Sequence, residues 1–163
     1  MKKVAETQDI ELVLWRLFSR TQYMIRKALQ RALTKSNIQL RSISVLASII
    51  RLDEQATIAE ISKELVLELH TISEHLKRLE TQGLIKKIKD KKGRRITRIE
   101  VTEKGIEVYL SVIRQNTVQS IMSALTPEEK HQFWLLLEKI QDNAIKHLGA
   151  EIVSHHPYKE FME

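Results

Sequence analysis

Apolar residues recur at helical spacing over most of this chain, and the first such segment is the longest. From Ile10 to Ala32 they follow a period of roughly 3.6 residues, and neither Gly nor Pro interrupts them. This pattern predicts a helix from about Thr7 to Leu33. Because a long helix must bury its apolar stripe to be stable, we expect this one to pack against a partner.

Two shorter helices are predicted next. Ser36 or Asn37 can cap the first of them, and its inner face is expected to carry Leu40, Ile43, Leu46, Ala47 and Ile50. Thr57 and Glu60 then form a capping box, in which each side chain accepts a hydrogen bond from the backbone amide of the other residue. This box opens a short helix that ends near Leu65.

Only residues 66–68 separate this short helix from one of a different character. The apolar residues of the second helix, Leu69, Ile72, Leu76 and Leu79, are spaced to form one buried stripe. The positions between them carry hydrogen-bonding side chains. Two helices joined by so short a turn, the second with a polar outer face, indicate a helix-turn-helix motif.

A predicted β-hairpin follows this polar helix at once. Gly83 suits the left-handed position after a helix end, where it closes a Schellman motif. Residues 84–101 then form two short alternating runs around Asp90 and Gly93, which suit a tight turn. The predicted fold class is therefore mainly α-helical with one small β-hairpin.

Two more helices are predicted after the hairpin. Thr102 can cap a helix that runs to about Ala124. Residues 126–129 give the strongest local signal in the sequence, a capping box with proline at the first helical position. They open a last helix that continues to Leu148.

This last helix has more apolar surface than one chain can easily bury. Its residues 133–137 are all apolar and cover well over half of the helix circumference. Because the first helix also needs a partner, the pattern favours a homodimer, although a deeply buried core helix would show the same run. The predicted dimer interface consists of Ile10, Val13, Leu14, Phe133, Trp134, Leu137 and Ile140.

Charge sets one segment apart from the rest of the chain. Residues 86–98 contain eight Lys or Arg and one Asp, a net charge of +7, whereas the whole chain carries +6. The body of the protein is therefore nearly neutral and bears one cationic hairpin. A polar helix face beside such a hairpin suits a grooved polyanion, which is duplex DNA. A solvated edge hairpin, kept from aggregating by its lysines, is the alternative.

The composition excludes several other classes of protein. The chain of 163 residues has no cysteine, which removes disulfide scaffolds, thiol nucleophiles and cysteine-based metal sites. Its N-terminal residues lack the apolar core of a secretory signal, and no apolar run is long enough to span a bilayer. We therefore expect a cytoplasmic protein without a membrane partner.

Nothing in the sequence resembles a catalytic or cofactor site. Gly-rich phosphate-binding motifs are absent. His70 and His75 are five residues apart, which places them on different sides of a helix rather than in chelating positions. The other histidines are expected to be surface residues rather than metal ligands: His131, His147, His155 and His156. The sequence thus predicts no enzyme, no cofactor and no bound metal.

The order of these motifs resembles the MarR family of winged-helix transcriptional regulators. The resemblance rests on the helix-turn-helix, on the helix exit Leu-Glu-x-x-Gly-Leu-Ile at 79–85, on the basic hairpin, and on Val-Thr-Glu-Lys-Gly at 101–105. It covers residues 37–105 by motif, and the flanking long helices match by arrangement.

The resemblance implies a homodimer whose terminal helices intertwine. It places an N-terminal dimerisation helix in residues 1–36, a winged helix-turn-helix DNA-binding domain in 37–101, and C-terminal dimerisation helices with a tail in 102–163. It further implies a recognition helix in the major groove, a wing tip in the adjacent minor groove, and often a small-molecule effector between the helical and DNA-binding parts.

Residue by residue, the resemblance places the recognition helix at 68–82 and the wing at 86–98. The family's wing usually reads Asp-x-Arg. This chain has Gly93 at the position of the Asp and Arg95 at the position of the Arg. Because the Asp that would orient Arg95 is lost, the neighbouring basic residues of the wing become alternative contacts to the groove. The predicted DNA contacts of the recognition helix are His70, Thr71, Ser73, Glu74, His75, Lys77 and Arg78. Those of the wing are Lys89, Lys91, Lys92, Arg94 and Arg95.

Two classes of function remain open. The first is a dimeric, sequence-specific DNA-binding regulator, a repressor released by a small-molecule effector, with a near-palindromic duplex as its operator. The second is a winged-helix module that binds a protein partner and no specific DNA. That module should present an apolar or neutral wing, whereas this wing carries a net charge of +7.

Overall fold

The computed structural model describes residues 9–36, 38–89 and 97–148, apart from the side chains of residues 35, 36 and 89. Its helices are, in chain order, α1 (Ile10–Ala32), α2 (Leu40–Leu52), α3 (Ile58–Leu65), α4 (Leu69–Thr81), α5 (Glu103–Ile113), α6 (Thr117–Met122) and α7 (Pro127–Leu148). Short 3-10 helices occupy Leu33–Ser36 and Asp53–Gln55. Strands β1 (Ile85–Lys89) and β2 (Thr97–Val101) form an antiparallel hairpin. The predicted fold class, mainly helical with one hairpin, is confirmed.

Three helices begin at the capping residues that the sequence indicates, and one of them is α5, where the Thr102 hydroxyl accepts from the Gly105 amide at 3.1 Å. The Thr57 hydroxyl accepts a hydrogen bond from the Glu60 amide at 3.2 Å. At the start of α7 the box is reciprocal, because the Thr126 amide donates to the Glu129 carboxylate at 2.8 Å and the Glu129 amide donates to the Thr126 hydroxyl at 3.2 Å. The box at α3 is only half formed, since the Glu60 carboxylate instead accepts from Lys63 at 2.9 Å.

The first helix matches its predicted end but has an unpredicted cap. Asp9 occupies the N-cap position, and its carboxylate accepts from the Glu11 amide at 3.2 Å. The predicted start at Thr7 lies outside the described residues. The helix ends at Ala32, and the chain continues as the 3-10 turn Leu33–Ser36.

The predicted cap of α2, Ser36 or Asn37, is wrong. Gln39 occupies the N-cap position, and its side chain makes no capping hydrogen bond. The predicted inner face is also wrong at Ile50, which is exposed. Helix α2 packs against α3, α4, α5 and β2, so its buried arc is wider than that of a surface helix. The buried residues of α2 are Ser42, Ile43, Val45, Leu46, Ser48 and Ile49.

The hydrophobic core lies between the helix-turn-helix and the hairpin. Its fully buried side chains include Leu46 of α2, Ile61 of α3, Leu76 of α4 and Ile99 of β2. One face of α5 covers this core with half-buried residues such as Tyr109. Burial of each large aliphatic side chain contributes about 1.5–3 kcal/mol to folding, so these contacts hold α4 firmly in place.

The predicted helix from Thr102 to Ala124 is interrupted. Helix α5 ends at Ile113, and α6 begins at Thr117. Between them Asn116 takes the left-handed conformation with a φ of 53°, which a short polar side chain tolerates better than most. Four apolar residues of this segment are exposed in the single chain: Ile106, Leu110, Ile113 and Val118.

The two longest helices, α1 and α7, contribute no fully buried side chains. Helix α1 packs on α6 and exposes apolar side chains over its N-terminal half. Helix α7 exposes Phe133, Leu135, Leu136 and Ile140. In the described part of the chain, no helix is both long enough and apolar enough to cross a membrane.

Candidate DNA-binding surface

Hydrogen bonds close the turn between α3 and α4 where glycine is absent. Val66 takes the left-handed conformation with a φ of 51°, which is rare for a β-branched residue. The Ser62 hydroxyl donates to the Leu67 carbonyl oxygen. The Leu67 amide donates to the Ser62 carbonyl oxygen at 3.0 Å. Ser62 therefore ties the last turn of α3 to the residues that lead into α4. Sequence patterns did not single out this residue, although a serine just before a short turn is a usable signal.

Helix α4 is anchored by part of its predicted apolar stripe. Ile72, Leu76 and Leu79 are fully buried. Leu69, by contrast, is 55% exposed, so its predicted burial is wrong. Leu69 is the first residue of the helix.

Helix α4 ends in the predicted Schellman motif. Gly83 has a φ of 71°. The Leu84 amide donates to the Leu79 carbonyl oxygen at 2.9 Å, and the Gly83 amide donates to that of Glu80 at 2.9 Å. These are the two bonds that define the motif, and they direct the chain into β1.

The outer face of α4 carries the side chains predicted to contact DNA. At about 100° per residue, His70, Glu74 and Lys77 lie opposite the buried stripe. All of the exposed members of the predicted set are on or beside this face: His70, Ser73, Glu74, Lys77 and Arg78. Thr71 is half-buried, and its hydroxyl lies 3.3 Å from Nε2 of His70.

His75 lies at the edge of this face, close to two arginines. Its ring is half-buried, and within the described residues its buried Nδ1 has no hydrogen-bond partner. Burial lowers the pKa of His75, and the charges of Arg78 and Arg41 lower it further against the opposing charge of Glu74. His75 is therefore a neutral side chain at neutral pH rather than a cation for phosphate.

Arg41 is a cation on this surface that sequence patterns did not indicate. It lies in the first turn of α2, near enough to His75 to act on its pKa. Neither Arg41 nor Arg78 is paired with a carboxylate in the part of the chain that the structure describes. Arg41 is distant from α4 in sequence, so only the packing of α2 on α4 shows that it belongs here.

The hairpin is attached to the core through one of its faces. Ile85 and Ile99 are buried. The Ile99 amide donates to the Ala56 carbonyl oxygen at 2.9 Å, which joins β2 to the segment before α3. The hairpin therefore keeps a fixed position beside the helix-turn-helix.

Within the described residues, two basic side chains at the base of the hairpin are neutralised by carboxylates. Lys86 pairs with Glu100, its cross-strand neighbour, at 2.9 Å. Lys87 pairs with Glu80 near the end of α4 at 2.6 Å. Four of the predicted wing contacts lie outside the described residues: Lys91, Lys92, Arg94 and Arg95. Of the fifth, Lys89, only the backbone is described.

A cleft of about 450 Å³ lies between the C-terminal half of α1 and the helix-turn-helix. Arg26 and Gln30 of α1, Arg41 of α2 and Leu67 of the turn are among the residues that line it. Two arginines and an amide give the cleft a cationic, hydrogen-bonding wall. The same Arg41 borders the α4 surface, so the cleft and that surface share a side chain.

The predicted dimer residues form exposed apolar surface on two helices. Ile10 on α1 and Ile140 on α7 are 60% and 61% exposed. Val13, Leu14 and Phe133 are also exposed, whereas Trp134 and Leu137 are half-buried.

The histidines outside α4 show no clustering in the described residues. His131 and His147 are exposed on α7. Across residues 9–36, 38–89 and 97–148, no group of three or more His, Asp and Glu side chains is arranged to hold a metal ion. His155 and His156 lie outside the described residues.

The second helix of the helix-turn-helix is polar on its outer face and buried on its inner face, and a hairpin is fixed beside it. This arrangement defines a winged-helix DNA-binding protein. Residues 40–105 match the family model for a winged helix DNA-binding domain. The chain is similar to the HTH-type transcriptional regulator YybA of Bacillus subtilis, with 27% identity over 128 residues, which cover 74% of this chain and 83% of that protein.

Solved structures extend the likeness to the flanking helices. The ligand-free form of the organohalide-sensing transcriptional regulator RdhR has a TM-score of 0.82 and 26% identity, over 94% of this chain and 92% of that one. A mutant of MarR from E. coli complexed with operator DNA has a TM-score of 0.72 at 22% identity, over 83% of this chain and 99% of that one, and shares the fold. The chain is thus similar to the MarR family of winged-helix transcriptional regulators, and its residues 40–105 form a winged helix DNA-binding domain. It is a DNA-binding transcriptional regulator.

Proposed function

We propose that this regulator acts through binding alone, as a homodimer that reads a near-palindromic duplex. The observation that carries the proposal is the contrast between the two faces of α4. The inner face is locked into the core by Ile72, Leu76 and Leu79, and the outer face is exposed and mainly polar. Because α4 is fixed at both its turn and its Schellman end, it presents one constant set of side chains to a groove.

Within this proposal the side chains of α4 divide into two roles. Ser73 and Glu74 lie on the exposed face and read base edges, and Glu74 can accept from a cytosine amino group. Arg78 and Arg41, which have no carboxylate partner among the described ion pairs, hold phosphates on either side of the groove. The basic wing supplies further contacts through Lys91, Lys92, Arg94 and Arg95.

Selection of bound duplexes from a random pool tests the proposal. We expect a near-palindrome with half-site centres about 10 bp apart, one turn of the double helix. Enrichment of a single asymmetric half-site would contradict dimeric reading. If no sequence were enriched, the alternative of a winged-helix module that binds a protein would replace the proposal.

The homodimer is proposed from the apolar surface left on α1 and α7. Side chains such as Ile10, Leu14 and Ile140 are more than half exposed in the single chain, and apolar surface of this extent on two helices favours association. Light scattering at micromolar concentration should give twice the mass of the chain. A stable monomer under these conditions would contradict the proposal.

The cleft beside α1 is proposed as the effector site, and its cationic, hydrogen-bonding wall favours an acidic ligand, such as a phenol, that can bind as its anion. RdhR, a structural relative, has also been solved with 2,4-dichlorophenol bound. In this proposal the bound dimer represses, and an anion that engages Arg41 from the cleft withdraws that side chain from DNA. Thermal unfolding with added 2,4-dichlorophenol should show stabilisation that Arg26→Gln reduces. Equal stabilisation of both proteins would exclude this cleft.

A further inference from the structure

Leu69 is an exposed apolar side chain at the edge between the buried stripe and the polar surface of α4. It is the first residue of α4 and is 55% exposed, whereas the other three apolar residues of the helix are fully buried. Its neighbour His70 and the residue one turn further, Ser73, are exposed and polar. At 100° per residue Leu69 lies about 20° from the buried Leu76 and about 40° from the exposed Ser73, so it borders the polar surface and its side chain is not part of the core.

Leu69 lies at the N-terminal end of α4. In helix-turn-helix proteins the N-terminal residues of the recognition helix contact base edges. Residues four apart lie above one another on a helix, so Leu69 and Ser73 share one side of α4. A polar contact from Ser73 to one base would thus be accompanied by an apolar contact from Leu69 to a neighbouring base.

We propose that Leu69 contacts the C5 methyl group of a thymine in each half-site and thereby specifies thymine at one position. Thymine alone among the four bases presents a methyl group in the major groove, and apolar side chains recognise it there. The inference rests on the proposed DNA binding and goes beyond it, because it assigns a base to a side chain. It also gives the exposed leucine a role that a polar residue could not fill.

Deoxyuridine provides the test, because it differs from thymidine only by the missing methyl group. In the duplex obtained by selection, each thymine is replaced singly and the dissociation constant of the full-length protein is measured. At one position of each half-site we expect a loss of about fourfold, which corresponds to the burial of one methyl group. Replacements at the other positions should have smaller effects.

Variants of Leu69 connect that position to the side chain. Leu69→Ala should weaken binding to the thymine duplex and should bind the thymine and deoxyuridine duplexes equally. Leu69→Met, which keeps an apolar side chain of similar size, should retain most of the preference for thymine. Val66→Ala is the matched control, since Val66 is another exposed apolar residue next to α4 and should leave the ratio unchanged.

The outcomes separate this inference from the proposed function. If the wild-type protein binds the selected duplex but no thymine shows a methyl dependence that Leu69→Ala removes, the inference is wrong and DNA recognition by α4 stands. If Val66→Ala removes the dependence as completely as Leu69→Ala, the contact belongs to the turn and the assignment to Leu69 is overturned. If no duplex is enriched at all, both the proposed function and the inference fail.

Discussion

Gly105, in the first turn of α5, packs directly against the backbone of Leu84, the residue that follows the Gly83 cap of helix α4. A Cβ atom on Gly105 would overlap the Leu84 carbonyl oxygen and lie 2.6 Å from a methyl carbon of Val101. Beside this contact the Thr102 hydroxyl donates to the Gly83 carbonyl oxygen at 2.7 Å. The end of α4 and the start of α5 therefore form one tight joint.

This joint predicts that Gly105→Ala destabilises the protein. Alanine is ordinarily favoured over glycine inside a helix by about 1 kcal/mol. Here the added methyl group must displace backbone, and such overpacking costs about 1–3 kcal/mol. The free energy of unfolding from urea titration should therefore fall. Gly83→Ala is the control, because nothing lies within 4 Å of its position and its cost comes from the positive φ alone. An increase in stability for Gly105→Ala would contradict the close approach.

The ion pair between Arg51 of α2 and Glu64 of α3 should matter more for stability than an exposed pair. The Glu64 side chain is 5% exposed, so Arg51→Met leaves a carboxylate buried beside an apolar group. Removal of one partner of a buried pair costs about 3–5 kcal/mol, and the partial exposure of Arg51 places this loss at the lower end. Lys63→Met, which breaks the exposed pair with Glu60, should cost less than about 1 kcal/mol. Similar losses in both variants, measured by urea unfolding, would show that burial of Glu64 is unimportant.

His75 should make the folded protein less stable in mild acid. In the folded state its pKa is lowered, first by burial and then by Arg78 and Arg41, whereas in the unfolded chain it returns to about 6.5. The unfolded chain then binds the proton more tightly. Stability is therefore complete above a pH of about 6.5 and decreases as the pH falls through that value toward the lowered pKa.

The measurement is a series of urea titrations between pH values of about 8 and 5. His75→Gln should flatten the decrease in stability on the acid side, because glutamine does not titrate. His70→Gln, at an exposed position on the same helix, should leave the decrease in place. The same slope in wild type and His75→Gln would assign the effect to other groups.

Neutral substitutions in the wing and on α4 should change DNA binding in different ways. Lys91→Gln with Lys92→Gln should weaken binding to every duplex and flatten the log–log dependence on salt by roughly 0.9 for each phosphate that is no longer neutralised. Ser73→Ala should keep the salt slope and change the base preferred at one position, at a cost of about 1–3 kcal/mol. The two effects are distinguished by DNA-binding titrations at several salt concentrations, with the selected duplex and with a scrambled duplex. If the lysine variant kept the salt slope of the wild-type protein, the hairpin would be a solvated edge of the sheet and not a DNA contact.

At the helix ends, the local sequence predicts several of the observed hydrogen bonds. Thr57, the pair Thr126 and Glu129, and Gly83 each make the hydrogen bond that their spacing predicts, because donor and acceptor lie within a few residues of each other. The same logic failed at α2, where Gln39 precedes the helix without a side-chain bond. It also failed at Asn116, where apolar periodicity continues through a break in the helix.

By itself the sequence determined the helical class, the helix-turn-helix, the hairpin and the identity of the polar side chains on α4. These follow from periodicity, capping and charge, which are properties of neighbouring residues. Only the tertiary structure decided that Leu69 is exposed, that Arg41 lies near Arg78 and His75, and that Gly105 packs on Leu84. Each of these depends on which elements meet, and contacts between residues far apart in the chain are set by the packing of the whole core.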